Sequence, residues 1–313
     1  MTGTLLPSGP RRTTRSIVTG GAGFLGSHLV DRLLAEGHEV LVVDDLSSGR
    51  PENVRSDARL ERLDIATDDL ARVFREWRPG VVFHLAAQAS VPVSSRIPLR
   101  DLAVNVVGTH RVVAAARESG VGRLVFVSSG GAVYGETNRA ATEWRCPAPR
   151  SYYGVHKLAA EGHVALAGIP YAIARPSNIY GPRQAAGLEG AVVAAFIAQA
   201  LRDGTLQIHG NGSQTRDFIH VDDVVDALWR LGRPEAPTGT WNVAAGRRVT
   251  ISALANVVER AVGRRLDRAQ GPRRAGDVTD SAISAARLQA LGWRPSIGLS
   301  AGVTSLVRAA LGR

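Results

Sequence analysis

Thr19-Gly20-Gly21-Ala22-Gly23-Phe24-Leu25-Gly26 is the stretch on which the fold turns. It follows a short apolar run, Ser16-Ile17-Val18-Thr19, that reads as a buried strand. It opens an amphipathic run over about Phe24 to Glu36 that reads as a helix. The spacing Gly20-x-x-Gly23-x-x-Gly26 permits a tight turn, close approach of a diphosphate to backbone N–H groups, and close helix–strand packing. Phe24 and Leu25 fall in the first helical turn, beside that diphosphate position. Three glycines alone are as easily a plain glycine-rich turn; the strand before and the helix after favour a dinucleotide fingerprint. A second strand, Glu39 to Val43, closes at Asp44, 18 residues after Gly26. A carboxylate there accepts from both ribose hydroxyls and repels a 2′-phosphate, which selects NAD over NADP. Asp64-Ile65, after a third strand at Arg59 to Leu63, reads either as an adenine contact or as a helix cap.

Working outward, the alternation continues. Val81 to His84 is a fourth strand, Leu99 to Glu118 a long helix, and Arg123 to Ser128 a fifth strand. A helix over Tyr153 to Ala167 precedes a strand at Tyr171 to Ala174. Such alternation predicts an α/β fold, a Rossmann-type doubly wound parallel sheet, with ligands at the carboxyl ends of its strands. After Arg175 the rhythm changes, with glycine and proline at Gly181-Pro182 and glycine again at Gly210-Asn211-Gly212. Helices are expected at Gly190–Leu201, Val221–Leu231, Ser252–Val262 and Ser300–Ala310, and short strands at Leu206–His209 and Thr240–Val243. The expectation is a flexible tail over 1–14, a nucleotide-binding domain over 15–174 to which some later segments return, and a smaller mixed α/β substrate-binding lobe over 175–313.

Composition narrows the function classes. The 313 residues are 44% hydrophobic and 21% charged, ordinary globular usage. No apolar run approaches the roughly 18–20 residues of a membrane span, and no apolar segment follows Arg11-Arg12, so neither a membrane partner nor a signal peptide is expected. A single cysteine, Cys146, excludes an internal disulfide and a cysteine-based zinc site, and fits a reducing cytoplasm; no metal is expected. The net charge of +10 is scattered, and aromatic residues make up only 5%, which argues against nucleic acid. Lys157 is the only lysine; every other basic Lys or Arg position is arginine.

That lysine stands in Tyr153-Gly154-Val155-His156-Lys157. Residues four apart share a helix face, so Tyr153 and Lys157 point together. A nearby ammonium, with the charge of an oxidised nicotinamide, lowers a phenol toward working pH. Tyr-x-x-x-Lys also occurs by chance on surfaces. A chain that uses arginine wherever a generic cation serves, yet has lysine here, argues for a role that only a compact ammonium fills.

With these motifs, the chain resembles the extended short-chain dehydrogenase/reductase family, and within it the UDP-glucose 4-epimerases. The resemblance runs from about Arg15 to Leu311, through T-G-G-A-G-F-L-G, V-V-D-D-L, H-L-A-A-Q, V-S-S-G-G-A-V-Y-G-E, Y-G-V-H-K, R-P-S-N-I-Y-G-P-R-Q, R-D-F-I-H-V-D-D and R-x-G-D. It implies that His84 to Gln88 carry the loop under the cofactor, with Leu85, Ala86, Ala87 and Gln88 as contacts. It implies that Asn105 meets the backbone of the active-site helix. It assigns Asn178, Arg216 and Arg274 to a substrate diphosphate and Asp277 to its ribose. It also implies a homodimer, through Leu99–Ser119 and Tyr153–Ala167.

The chain departs from the family at Gly130. The family has a Ser or Thr four residues before Tyr134, bonded to the sugar hydroxyl that is oxidised. Here that place is glycine, and the adjacent Ser129 is the substitute, unless Ser129 only satisfies backbone at the strand end. Gly130, Gly131 and Ala132 offer none of the carboxylates that the family's dehydratases and decarboxylases carry in this loop. The implied function is NAD-dependent 4-epimerisation of a UDP-sugar, with Tyr153, Lys157 and Ser129 catalytic. Alternatives are a UDP-glucuronate 4-epimerase, a 4-keto-sugar reductase and a catalytically idle NAD-binding regulator. Ser281, four residues after Asp277, is expected to line the pocket near the sugar's C2 group and to leave space for an N-acetyl substituent.

Overall fold

The computed structural model describes residues 14–187, 191–272 and 278–312. The first half runs β1 (Arg15–Thr19), α1 (Phe24–Ala35), β2 (Glu39–Asp44), β3 (Arg59–Arg62), α2 (Leu70–Trp77), β4 (Val81–His84), α3 (Val91–Arg96), α4 (Pro98–Leu102), α5 (Thr109–Glu118), β5 (Arg123–Val127), α6 (Gly130–Val133), α7 (Tyr152–Ala165) and β6 (Tyr171–Pro176). The second half runs β7 (Asn178–Tyr180), α8 (Val192–Arg202), β8 (Thr205–His209), β9 (Thr215–Arg216), β10 (Phe218–His220), α9 (Val221–Leu231), β11 (Gly239–Val243), β12 (Val249–Thr250), α10 (Ile251–Val262), β13 (Asp267–Gly271), α11 (Ala286–Ala290) and α12 (Leu299–Ala310).

Seven strands form one parallel sheet in the order β11-β6-β5-β4-β1-β2-β3. The chain starts in the middle, at β1, winds outward through β2 and β3, then crosses back to β4. The switch point therefore lies between β1 and β4, where crossovers on opposite faces leave a crevice above the strand ends. Leu29, Leu33, Val224 and Leu228 pack α1 and α9 on one face. Phe74, Val112, Ala116, Ala160 and Val164 pack α2, α5 and α7 on the other. This is a Rossmann-type doubly wound α/β fold. A third cluster, with Tyr180, Phe196, Leu254, Val258 and Val303, holds α8, α10 and α12 together in the second lobe. The edge strand β11 pairs with β6 although 62 residues separate their ends, so the chain re-enters the first sheet after building part of the second lobe.

The helix starts follow local chemistry. Asp69, Ser90, Ser151 and Thr250 each accept a backbone N–H from the first turn of α2, α3, α7 and α10. The helix expected over Leu99 to Glu118 is not uniform. Between α4 and α5, residues Ala103–Gly108 form a π-helical turn. Two contacts account for it. A Cβ at Gly108 would lie 2.8 Å from Ile65 Cδ1, and Thr109 Oγ1 donates back to Asn105 O at 2.7 Å while meeting His84 Nε2 at 2.9 Å. A widened turn at this point re-aims Asn105 toward the β4 loop.

Gly20 and Gly26 have no alternative. Gly20 has φ +71°, and a Cβ there would sit 2.6 Å from Ala86 N. A Cβ on Gly26 would overlap the Gly20 carbonyl oxygen. Alanine is intrinsically better than glycine in a helix by about 1 kcal/mol, yet the overlap reverses that preference. Gly26→Ala is expected to lose about 1–3 kcal/mol of stability, read as a lower midpoint in urea unfolding with unchanged m-value.

Candidate active site

Two loops meet above the switch point. The β1–α1 turn carries Gly20 and Gly23, and the loop after β4 carries Leu85, Ala86, Ala87 and Gln88. Thr19 ties them together: its Oγ1 accepts from Leu85 N and Ala86 N, each at 3.2 Å, and meets His84 Nδ1 at 2.7 Å. Gly23 starts α1 without any side-chain cap, so the first-turn amides of Phe24 and Leu25 face the crevice unhindered. Asp44 closes β2 and is buried. Its Oδ2 accepts from Ala22 N at 3.0 Å and its Oδ1 from Leu46 N at 2.9 Å. Asp64 forms a local turn, with Oδ1 accepting from Ala66 N at 2.8 Å, and Ile65 is buried against the π-helical turn.

Asn105 differs from the expectation. It does not reach the α7 backbone: its Oδ1 accepts from Gln88 N at 3.1 Å and its Nδ2 donates to Gln88 O at 2.9 Å. Both ends of the amide hold the β4 loop, because the π-helical turn aims it there.

Tyr153 is the second residue of α7, and Lys157 follows on the same face. The N–H of Tyr153 donates to Ser94 Oγ at 3.2 Å, fixing the helix start on α3. A Cβ at Gly154 would lie 2.6 Å from Ala132 O, so this glycine lets α6 approach the helix. That approach sets the Ser129 hydroxyl beside the Tyr153 phenol, whose pKa it lowers. Gly130 has no room for a side chain: a Cβ there would meet Ile283 Cδ1 at 2.5 Å and the Arg175 and Pro176 carbonyls at 3.2 Å. Lys157 is 2% exposed, its Nζ 4.2 Å from the Phe126 ring centroid.

In the second lobe, Asn178 N donates to Asp217 O at 2.9 Å, and Phe218 is the register partner of Asn178. Arg216 precedes Asp217 directly, so its backbone lies one residue from that bond. Arg274 and Asp277 lie outside the described residues. Ser281 is buried, its Oγ 3.6 Å from where a Gly131 Cβ would sit, which places it beside the 129–131 loop. Among the described residues no His, Cys, Asp and Glu group could hold a metal ion. None of their helices is long and apolar enough to cross a membrane.

The profile of the NAD dependent epimerase/dehydratase family matches residues 16–244. The chain belongs to this family. A UDP-glucose 4-epimerase of Mycolicibacterium smegmatis is 42% identical over 304 residues, covering 94% of this chain and 97% of its own. The crystal structure of a Thermotoga maritima UDP-glucose 4-epimerase with UDP-glucose superposes with a TM-score of 0.91 at 36% identity, covering 96% of this chain and 99% of that one. A Thermus thermophilus UDP-glucose 4-epimerase complexed with NAD gives 0.90 at 38% identity, with the same coverage.

The family's dinucleotide fits the residues present. The cradle is formed where the Cβ atoms of Gly20 and Gly26 would otherwise stand, open first-turn amides face it, and a buried carboxylate ends β2. Burial raises the Asp44 pKa, while its bonds from Leu46 and Ala22 oppose the rise. The electrostatics around Tyr153 differ from those expected from the sequence. Burial pushes the phenol up to about 12; Ser129 is the neighbour that lowers it, and Asp101 raises it further. The Lys157 ammonium is not among the causes that lower it. Burial likewise pushes Lys157 down to about 7, against the fields of Glu161 and Asp101. His84, wholly buried between Thr19 and Thr109, is driven down to about 3, first by burial and then by Lys157.

Sequence reasoning passed over four polar groups here. Asp101 Oδ1 accepts from Gln88 Nε2 and its Oδ2 meets His156 Nδ1, both at 2.5 Å. Glu161 and Arg175 form a buried ion pair behind Lys157. The available signal was position: His156 lies between Tyr153 and Lys157, and Glu161 comes four residues after Lys157.

Lys157 has its folded pKa near 7, below its ordinary 10.5. Between those values the unfolded state holds the proton that the folded state has released. Stability therefore rises with pH across that window. Lys157→Met is expected to flatten this rise, because the variant has no ammonium whose proton differs between the folded and unfolded states in that window. Chemical unfolding of both proteins at pH 7 and pH 10 measures the difference.

Proposed function

We propose that this protein is a UDP-sugar 4-epimerase, an isomerase that interconverts UDP-glucose and UDP-galactose through a 4-keto sugar, with NAD held in the Gly20–Gly26 cradle. The observation that carries this reading is the meeting of the Tyr153 phenol with the Ser129 hydroxyl above Lys157, beside a dinucleotide cradle. Bound NAD supplies hydride acceptance and return, and a positive charge that opposes the burial-driven rise of the phenol. Tyr153 removes the proton from the sugar's O4 and gives it back to O4 once the 4-keto sugar has turned its other face to the cofactor. Ser129 holds the same hydroxyl in line with the phenol. Lys157, a compact ammonium under the nicotinamide ribose, keeps negative charge on Tyr153 favourable. Asp44 takes the adenosine ribose hydroxyls, which favours NAD over NADP.

Asn178, Arg216, Arg274 and Asp277 hold the UDP, the arginines as bidentate phosphate ligands. Leu85 to Gln88, fixed by Thr19 and Asn105, form the floor under the cofactor, and Asp64-Ile65 sit at its adenine end. Gly130, Gly131 and Ala132 provide no carboxylate for elimination or decarboxylation, so proton transfer by Tyr153 is the chemistry left to the loop. Ser281 beside Gly131 leaves the sugar's C2 side open, so N-acetylhexosamines are accepted too. UDP-glucuronate lacks a fixed cation at Ala185-Ala186 and is the poorer substrate.

Tyr153→Phe is expected to abolish turnover while NAD stays bound, and Lys157→Arg to fail as well. Ser129→Ala should lower kcat by about 10- to 1000-fold, the scale for one positioned proton-transfer or oxyanion partner. The decisive assay compares kcat/KM for UDP-glucose, UDP-N-acetylglucosamine and UDP-glucuronate, with NADH release followed in parallel. Stoichiometric consumption of added NADH would identify a reductase, and no turnover of any sugar an idle sensor.

The partner we propose is a second copy of the chain. Leu99 on α4 is 76% exposed and Leu166, just past the end of α7, 86%; Leu102, Val107, Tyr152 and Val155 are also exposed on α4, the π-helical turn and α7. Large apolar side chains gathered on two adjacent helices mark an interface rather than a solvated face. Sedimentation should give a dimer, and Leu99→Glu with Leu166→Glu should give monomers of unchanged secondary structure.

A further inference from the structure

Glu161 stands one helical turn beyond Lys157 on α7, and both it and Arg175 are 5% exposed. Its Oε1 accepts from Arg175 Nε at 2.8 Å and from the Ser128 hydroxyl, and its Oε2 accepts from Arg175 Nη2. The third arm of the guanidinium, Nη1, donates to the Tyr134 hydroxyl at 2.7 Å. Tyr134 in turn donates to Asn242 Oδ1 at 2.9 Å. One polar chain thus crosses the carboxyl ends of β5, β6 and β11 and ties them to the helix that carries Tyr153 and Lys157.

Stability is a weak reason for such a pair. Desolvating two charges commonly offsets their attraction, and an apolar pair of the same volume does as well or better. The position of the pair suggests its use. Ser128 is covalently next to Ser129, so the Ser128–Glu161 bond sets how far the Ser129 hydroxyl stands from the α7 face. Misplacement by about 1 Å in such a constellation costs on the order of 100-fold in rate.

We propose that Glu161, clamped by Arg175, is a positioning residue: it locks the 128–129 loop to α7 and supplies the negative charge that faces the Lys157 ammonium. The proposal rests on the reading of Tyr153, Lys157 and Ser129 as the proton-transfer site. Lys157 is faced by Tyr153 and Glu161 from its own helix, by Asp101 from α4, by His84 from β4, and by Arg175 from β6 behind Glu161. Asp101 is already shared between Gln88 and His156. Of the two carboxylates that hold the Lys157 pKa up against burial, Glu161 is the larger.

The sequence makes this directly measurable. Lys157 is the only lysine, so untagged full-length protein grown on lysine labelled with 13C at Cε gives one lysine side-chain resonance, that of Lys157. Glu161→Gln keeps shape and one acceptor but removes the charge. The Lys157 titration midpoint should fall by about one pH unit or more, the scale for losing a close opposite charge. Because Lys157 acts as a cation, activity is lost as pH rises through its pKa; the alkaline limb of kcat should move to lower pH by the same amount. Ser128→Ala should leave the midpoint in place and lower kcat about tenfold at unchanged KM. Should Arg175 left alone prevent folding, the double variant Glu161→Gln/Arg175→Met removes both charges and is expected to show the same direction of shift. An unmoved Lys157 midpoint in a folded Glu161 variant, or wild-type kcat in Ser128→Ala, overturns the proposal. The resonance titrates whether or not any sugar is turned over, so an inactive wild type would count against the proposed function and leave this test standing.

Discussion

A single ammonium is buried in this protein, and the arrangement around the crevice follows from keeping it there. Lys157 lies on the Phe126 ring under the strand ends, where burial pushes its pKa down to about 7. Solvating an ammonium in such a place takes fixed negative charge, and two carboxylates supply it from different elements. Asp101 comes from α4, anchored by Gln88 and His156. Glu161 comes from α7, anchored by Arg175 and Ser128. Two of these anchors reach a second element: Gln88 belongs to the loop after β4, and Ser128 is next to Ser129, the hydroxyl beside Tyr153. Arginine could not replace the lysine, since its larger always-charged fork would need both more space and more acceptors.

The glycines set where that crevice lies. Gly20 and Gly26 allow the β1–α1 turn to sit within contact of the Ala86 backbone, so the two halves of the sheet face each other across the switch point at close range. Gly154 performs the same service on the other side, admitting the Ala132 carbonyl to the start of α7. Space left by absent side chains thus positions both the loop after β4 and the hydroxyl beside Tyr153.

Much of this was legible in the sequence because it is local. The strands β1, β2, β4 and β5 are continuous apolar runs, and the boundaries of α9 fall where periodicity puts them, at Val221–Leu231. Tyr153 and Lys157 share a face because four residues make about one helical turn. What escaped depends on distance in sequence or on weak patterns. The short α2 was passed over although Leu70, Val73, Phe74 and Trp77 form an apolar stripe behind the Asp69 cap; it is only about two turns long. The strand β13, Asp267–Gly271, is almost wholly polar, and only its pairing with β8 makes it a strand. Asn105 points at Gln88 because of a π-helical turn that no periodicity announces. The sequence places an ammonium and an oxidised nicotinamide beside the Tyr153 phenol, but it does not show that burial acts on both side chains at once, pushing the phenol up to about 12 and Lys157 down to about 7. The Glu161–Arg175 pair joins residues 14 apart that meet only after β6 has docked.

Gly130 is the departure in sequence that the structure makes intelligible. The chain segment around Ile283 crosses directly over it, bridged to Ala141, and fills the volume a side chain would need. A hydroxyl at 130 would therefore have to displace both Ile283 and the β6 carbonyls. One residue earlier, Ser129 has extended backbone, with φ −150° and ψ 111°, at the mouth of β5. There its side chain turns toward α7 instead of into the core. The glycine at 130 and the serine at 129 are thus one feature. The segment around Ile283, packed into the core of the first sheet, presses on the loop, the loop yields its side chain at 130, and the hydroxyl beside Tyr153 is supplied from the position next to it.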